Sequence, residues 1–231
     1  MFRLAQKTEA KPGWVKMARE GYAELVNAII RPPRAKYVVE ELGPRQLLVG
    51  ELAVQRTDLE IKSHRATVSR SAKMKGPTQI EATLKCSHWE PAGICRPAQA
   101  LPCVVYLHGN CGCRMEALDV LSLTMSQGMS LFAFDFGGAG LSDGEYISLG
   151  FWEREDLASV IEHLRKDSTV SSIALWGRSM GAVTALLYAS RCALPLPPAC
   201  VVEGSRYAQG IRANFCTYPP CKLHSAYIYR F

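Results

Sequence analysis

The apolar run Ser172-Ile173-Ala174-Leu175-Trp176 leads directly into Gly177-Arg178-Ser179-Met180-Gly181, and a helical pattern from Ala182 to Ser190 follows. A strand that hands over to a helix through so few residues needs a very tight turn. Small residues two before and two after the serine let that turn close with the serine pointing outward. Ser179 is therefore a candidate nucleophile, and the backbone N–H of Met180, at the start of the helix, is a candidate oxyanion donor. A plain glycine-rich connection would fit the five residues equally well, so the flanking sequence has to decide.

Upstream, Cys103-Val104-Val105-Tyr106-Leu107 reads as a buried strand that runs into His108-Gly109-Asn110. In acyl-transfer hydrolases of this layout the loop after that strand supplies a second oxyanion donor, here the backbone N–H of Asn110. His108 is expected to end the strand with its ring hydrogen-bonded to the backbone, and not to act as a general base. A third apolar run, Leu131-Phe132-Ala133-Phe134, opens into Asp135 to Gly144, expected to be a flexible loop with an acid at each flank. Strand, loop and helix alternate from Pro102 to Ser205, which predicts an α/β fold with a mostly parallel sheet and helices on both faces. Such sheets bind ligands beyond the carboxyl ends of their strands, so all three loops are expected on one edge.

The stretches YLHGNCGCR, FDFGGAGLSDGEYISLG and ALWGRSMGAVTALLY, in this order, resemble the α/β-hydrolases. They are most similar to the serine aminopeptidase-like and acyl-protein-thioesterase-like branch of plants and protists. Ile29 to Tyr37 and Leu84 to Pro91 resemble the N-terminal part of that branch, so the likeness covers most of residues 25 to 205. An apparent insertion around His64 to Thr78 interrupts it, read as a surface loop bearing Arg65, Arg70, Lys73 and Lys75. The resemblance implies that Ser179 is the nucleophile, that the amides of Met180 and Asn110 form the oxyanion hole, and that the reaction is hydrolysis of an ester, thioester or amide through an acyl-enzyme. It implies a small-molecule or acylated-protein substrate and no metal or organic cofactor.

The family places its triad acid and histidine on two later strands, in the order Ser, Asp or Glu, His. After Ser179 this sequence holds no aspartate, one glutamate, Glu203, and one histidine, His224. The last family-like strand is Ala199 to Glu203; the tail 206–231 departs from the pattern, and the C-terminal strands are expected to be missing or replaced. Glu203 and His224 keep the formal order. The 20 residues between them could reach about 66 Å, so positioning His224 is the difficulty, not distance. With no imidazole in reach of Ser179, only weak labelling by a fluorophosphonate would be expected. The rival to a serine hydrolase is then an incomplete hydrolase-like protein that acts by binding. Without covering strands, Cys200 to Val202 would be an exposed edge, and Ala226 to Tyr229 is the local segment suited to cover it.

A chain of 231 residues, 48% apolar, with no run near the length of a membrane span, fits one globular unit. Residues 1–45 are read as an amphipathic helix with a Pro-rich connection, 46–205 as the hydrolase core and 206–231 as a divergent tail. No export or acylation signal stands at the N-terminus, so a cytoplasmic location is expected. Residues 1–100 carry 17 Lys and Arg against 10 Asp and Glu, whereas 101–231 carry 10 against 11. Trp14, Ala18, Tyr22, Leu25, Val26 and Ile29 recur at helical spacing before Pro32-Pro33. Such a helix, with Lys11, Lys16, Arg19 and Arg31 nearby, could touch an anionic membrane; packing of its apolar face on the body is the favoured expectation. No nucleic-acid motif accompanies the charge. The nine cysteines follow no paired framework or common zinc spacing, Cys111, Cys113, Cys216 and Cys221 included, and are expected as apolar filler.

Overall fold

Strands that are apolar on successive residues need cover on both faces. The chain meets that need in its computed structural model, which describes residues 13–67, 78–191 and 200–203. In chain order the elements are α1 (Trp14–Ile30), β1 (Gln46–Val49), β2 (Leu52–Thr67), β3 (Thr78–Pro91), β4 (Leu101–Leu107), α2 (Leu118–Ser126), β5 (Ser130–Phe134), α3 (Glu153–Lys166), β6 (Val170–Arg178), α4 (Met180–Ala189) and β7 (Cys200–Glu203). The seven strands form one sheet in the order β1-β2-β3-β5-β4-β6-β7. It is mixed. Pairing is parallel across β5, β4, β6 and β7, the stretch that alternates with helices, and antiparallel among β1, β2, β3 and β5, with hairpins joining β1 to β2 and β2 to β3.

The central strands divide their side chains between two cores. Cys103, Val105 and Leu107 of β4, Phe132 and Phe134 of β5, and Ile173 and Leu175 of β6 pack with Leu157, Val160, Ile161 and Leu164 of α3 and with Met180 and Ala185 of α4. The alternate residues Val104, Tyr106, Leu131 and Ala133 meet Val120, Leu121 and Met125 of α2, along with Tyr37 and Leu42. Trp176 only borders this second core, and Trp152 is likewise half-buried.

The segment 64–78, read as a surface insertion, begins and ends as paired strand in the long β2–β3 hairpin, and Arg65 is buried within it. Among the described residues the apolar face of α1, expected to pack on the body, has no packing there, because no residue of that helix is buried. Among the described residues no helix is long and apolar enough to cross a membrane.

The strand order fixes where a ligand can sit. From β4 the chain steps to β5 on one side, then crosses back through α3 to β6 on the other. The loop leaving β4 therefore leads to α2 on one face, and the loop leaving β6 leads to α4 on the opposite face. Two neighbouring parallel strands whose exits diverge in this way leave a crevice at their carboxyl ends.

Candidate active site

Ser179 stands in that crevice, between the last residue of β6 and the first of α4. It is exposed, with φ 50° and ψ −110°, a backbone conformation that costs a non-glycine residue of order 1–3 kcal/mol and persists only where its surroundings enforce it. The two glycines around it show how. A Cβ on Gly177 would lie 2.5 Å from the Gly181 carbonyl carbon and the Ala182 nitrogen, and a Cβ on Gly181 would lie 2.0 Å from the carbonyl oxygen of Leu107. The turn closes on itself and on the end of β4 at distances only glycine permits. Close approach is the reason for both glycines, since neither has a positive φ.

The loop after β4 lies against this turn, where a Cβ on Gly109 would be 3.7 Å from the Arg178 carbonyl oxygen and 3.9 Å from Cβ of Ser179. Three of its amides are engaged. Gly109 N–H donates to Glu116 Oε2 at 3.2 Å, Cys111 N–H to Asn110 Oδ1 at 2.9 Å, and Gly112 N–H to the Gly109 carbonyl at 3.1 Å. The Asn110 N–H and, across the crevice, the Met180 N–H donate to no described group. The amides of Cys113, Gly181 and Ala182 likewise have no acceptor among the described residues, as the first N–H groups of a helix ordinarily do not.

His108 is fully buried. Its Nε2 accepts from Phe136 N–H at 3.1 Å, so Nδ1 carries the proton and donates to the Gly109 carbonyl at 2.8 Å. Nε2 thus ties the loop after β4 to the loop after β5 and Nδ1 braces the histidine's own loop, as expected of a structural histidine. Of the other described histidines, His64 and His163 are exposed and His88 is buried beside Cys103 and Phe132. The Ser179 hydroxyl bonds to no described residue. In the backbone register of β6 and β7, Glu203 lies opposite Arg178, which brings the candidate acid level with the serine turn. His224, Cys216, Cys221 and the segment Ala226 to Tyr229 lie outside the described residues.

The loop from Asp135 to Gly144 is not the flexible segment that its glycines suggested. Asp135 is fully buried, its Oδ1 accepting from Arg114 N–H at 2.7 Å and its Oδ2 from Tyr37 O–H at 2.6 Å and Leu141 N–H at 2.8 Å. Burial, and then the Asp135 carboxylate, push the Tyr37 hydroxyl far above its ordinary pKa, so it remains a donor at any working pH. On the other side of the loop, Asp156 accepts from Arg65 Nε at 2.9 Å, from Gly137 N–H at 2.9 Å and from Ser63 O–H at 2.6 Å, while a second guanidinium nitrogen of Arg65 reaches both Asp156 and the Gly137 carbonyl. Sequence reasoning missed Glu116, whose carboxylate also lies 3.5 Å from an Arg178 guanidinium nitrogen and ties the oxyanion-side loop to the serine turn. It also missed the Arg65–Asp156 pair. Glu116 lies in a short 3₁₀ turn with no motif around it, and Arg65 and Asp156 are 91 residues apart.

A serine held in strained backbone between strand and helix, at the carboxyl edge of such a sheet, defines the α/β-hydrolase class. Residues 98–213 match the family model of serine aminopeptidase, S33, and the chain belongs to this family. The uncharacterized protein YqkD of Bacillus subtilis is 36% identical over 87 residues, which is 37% of this chain and 28% of that protein. The uncharacterized protein YfhR of Salmonella typhimurium is 29% identical over 132 residues, 52% of this chain and 44% of its own length. Among solved structures, the hypothetical protein PA2218 of Pseudomonas aeruginosa shares the fold with a TM-score of 0.52 at 16% identity, over 72% of this chain and 47% of that one. The chain spans less than half the length of the curated relatives it matches.

Proposed function

We propose that the protein is a serine hydrolase that cleaves an acyl bond, ester, thioester or amide, with Ser179 as nucleophile. The observation that carries this reading is the Ser179 backbone at φ 50° and ψ −110°, flanked by two amides, Asn110 and Met180, without acceptors among the described residues. Attack by the Ser179 oxygen on the acyl carbon puts negative charge on the carbonyl oxygen, and two fixed N–H donors stabilise that charge without reorganising. The leaving alcohol, thiol or amine departs as the carbonyl re-forms, giving the acyl-enzyme that water then hydrolyses. Glu203, level with the serine turn in the β6–β7 register, is the proposed acid, and His224 the proposed base that takes the serine proton. The likeness of its motifs to the acyl-protein-thioesterase-like branch favours an acylated protein or a small acyl ester as substrate.

A fluorophosphonate probe followed by peptide mass mapping tests this. An adduct is expected on Ser179, absent in Ser179→Ala and slower to form in His224→Ala. A folded chain that forms no adduct would instead support the second reading, an incomplete hydrolase-like protein that acts by binding, which is favoured by the absence of any described histidine bonded to Ser179.

A further inference from the structure

Helix α1 is amphipathic, yet the described chain buries none of its residues. Placed on a helical wheel at about 100° per residue, Trp14, Leu25, Ala18, Ile29, Tyr22, Val15 and Val26 fall within an arc of about 120°. Lys16, Asn27, Glu20 and Glu24 lie on the opposite side, with Arg19 at the border. The apolar arc is open: Trp14 is 80% exposed, Tyr22 69% and Leu25 61%. Among the described residues, the hydrogen bonds and ion pairs that tie the helix to the body lie at its C-terminal end. There the Ile30 carbonyl accepts from Ile147 N–H at 2.9 Å, and Arg31 pairs with Glu145 at 3.0 Å and covers the Tyr146 ring at 4.5 Å. Seventeen residues without tertiary packing make a marginal helix in water, so this face requires an apolar environment that the described chain does not provide.

Charge and aromatic content select among the environments. Leaving out Arg31 and Arg34, whose guanidinium groups are held by the body, residues 1–36 carry six lysines and arginines against three glutamates, an excess that draws the segment to a negative surface. Trp14 and Tyr22, on the same arc, are the side chains that settle at the level of lipid headgroups. At 17 residues with two cationic and two acidic groups, the helix suits an in-plane position and not a span. We infer that α1 docks in the plane of an anionic lipid bilayer, with Trp14, Tyr22, Leu25 and Ile29 inserted among the acyl chains and Lys16 and Arg19 at the level of the headgroups. This inference is independent of the catalytic reading.

Vesicle flotation with the full chain tests it, using phosphatidylcholine alone and phosphatidylcholine with phosphatidylserine. Binding to the anionic vesicles is expected to exceed binding to the neutral ones by about tenfold or more and to fall as salt is raised. Tyr22→Glu/Leu25→Glu and, separately, Lys16→Glu/Arg19→Glu should each abolish it with the melting temperature unchanged, because α1 buries no residue in the body. The inference is overturned by absence of flotation, by equal binding to both vesicles, or by binding that survives Tyr22→Glu/Leu25→Glu. It is equally overturned if sedimentation shows a dimer, lost in that variant, together with no lipid binding, since the face would then serve a second copy of the chain.

Discussion

Ser179 keeps its unfavourable backbone because the turn has nowhere else to go, and that gives single residues near it very different tolerances. In Gly181→Ala the new methyl would meet the Leu107 carbonyl oxygen at 2.0 Å, backbone against backbone, with no flexible group to yield. A loss above about 3 kcal/mol in urea unfolding, or failure to fold, is expected. Gly109→Ala, whose nearest neighbour would be at 3.7 Å, should stay within about 1 kcal/mol of wild type, although it lines the same crevice. Another residue-scale prediction concerns acid. Burial holds the His88 imidazole below its ordinary pKa, against the pull of Glu90, so His88 is neutral in the fold and binds a proton more readily when unfolded. Its share of stability is complete above the ordinary imidazole pKa of about 6.5 and is lost as pH falls toward the depressed folded value. Melting temperatures between about pH 7.5 and about pH 5 should fall more steeply for wild type than for His88→Gln; parallel curves would refute this.

At the scale of elements, the glycine-rich loop after β5 is fixed from two sides by carboxylates, Asp135 from within and Asp156 from α3. The Arg65–Asp156 pair also joins the far end of β2 to α3, both side chains being almost fully buried. Removing one partner leaves a buried charge uncompensated, which costs about 3–5 kcal/mol. Arg65→Met is expected to show a loss of that order. Asp156→Ala should lose more, because Gly137 N–H and Ser63 O–H lose their acceptor as well. Equilibrium unfolding of the two variants, with hydrogen exchange at Gly137, checks both the order and the place of the effect. Equal losses with an unchanged loop would mean that Asp156 serves only as the counter-ion to Arg65.

For the molecule as a whole, the sheet places its two halves in different roles. The antiparallel half, β1 to β3, widens the sheet, and the parallel half carries every loop of the candidate site at one edge. Beyond β6 only the four residues of β7 are described, and the outer edge of β7 has no strand partner among the described residues. An edge of this kind templates association unless it is covered. Ala226 to Tyr229 is the segment of the remaining sequence with the β-branched and aromatic content to cover it. Deletion of residues 224–231 is therefore expected to lower the melting temperature or promote self-association. An unchanged, monodisperse monomer after deletion, by light scattering and thermal melting, would show that this segment does not protect the edge.

The central strands, the helical stripe Leu157, Val160, Ile161, Leu164 and the serine turn were legible in the sequence because each is set locally. An unbroken apolar run needs two-sided cover, a 3.6-residue stripe needs one, and a strand-to-helix turn this tight needs its glycines. His108 was legible for the same reason, its partners being the backbone of the loop it begins and of the next one. The sequence could not show that the antiparallel half pairs onto β5, that Arg65 is drawn from a hairpin into a buried pair with Asp156, or that Glu116 ties Gly109 to Arg178. These depend on segments far apart in the chain arriving side by side, and charged residues look alike in sequence whether water or a buried partner receives them. Nor could it show that α1 keeps its apolar face open, since amphipathic spacing states that a face must be covered but not by what. Which residues must turn, stack or hide is a local matter and readable from the chain; which of them meet is set by the fold.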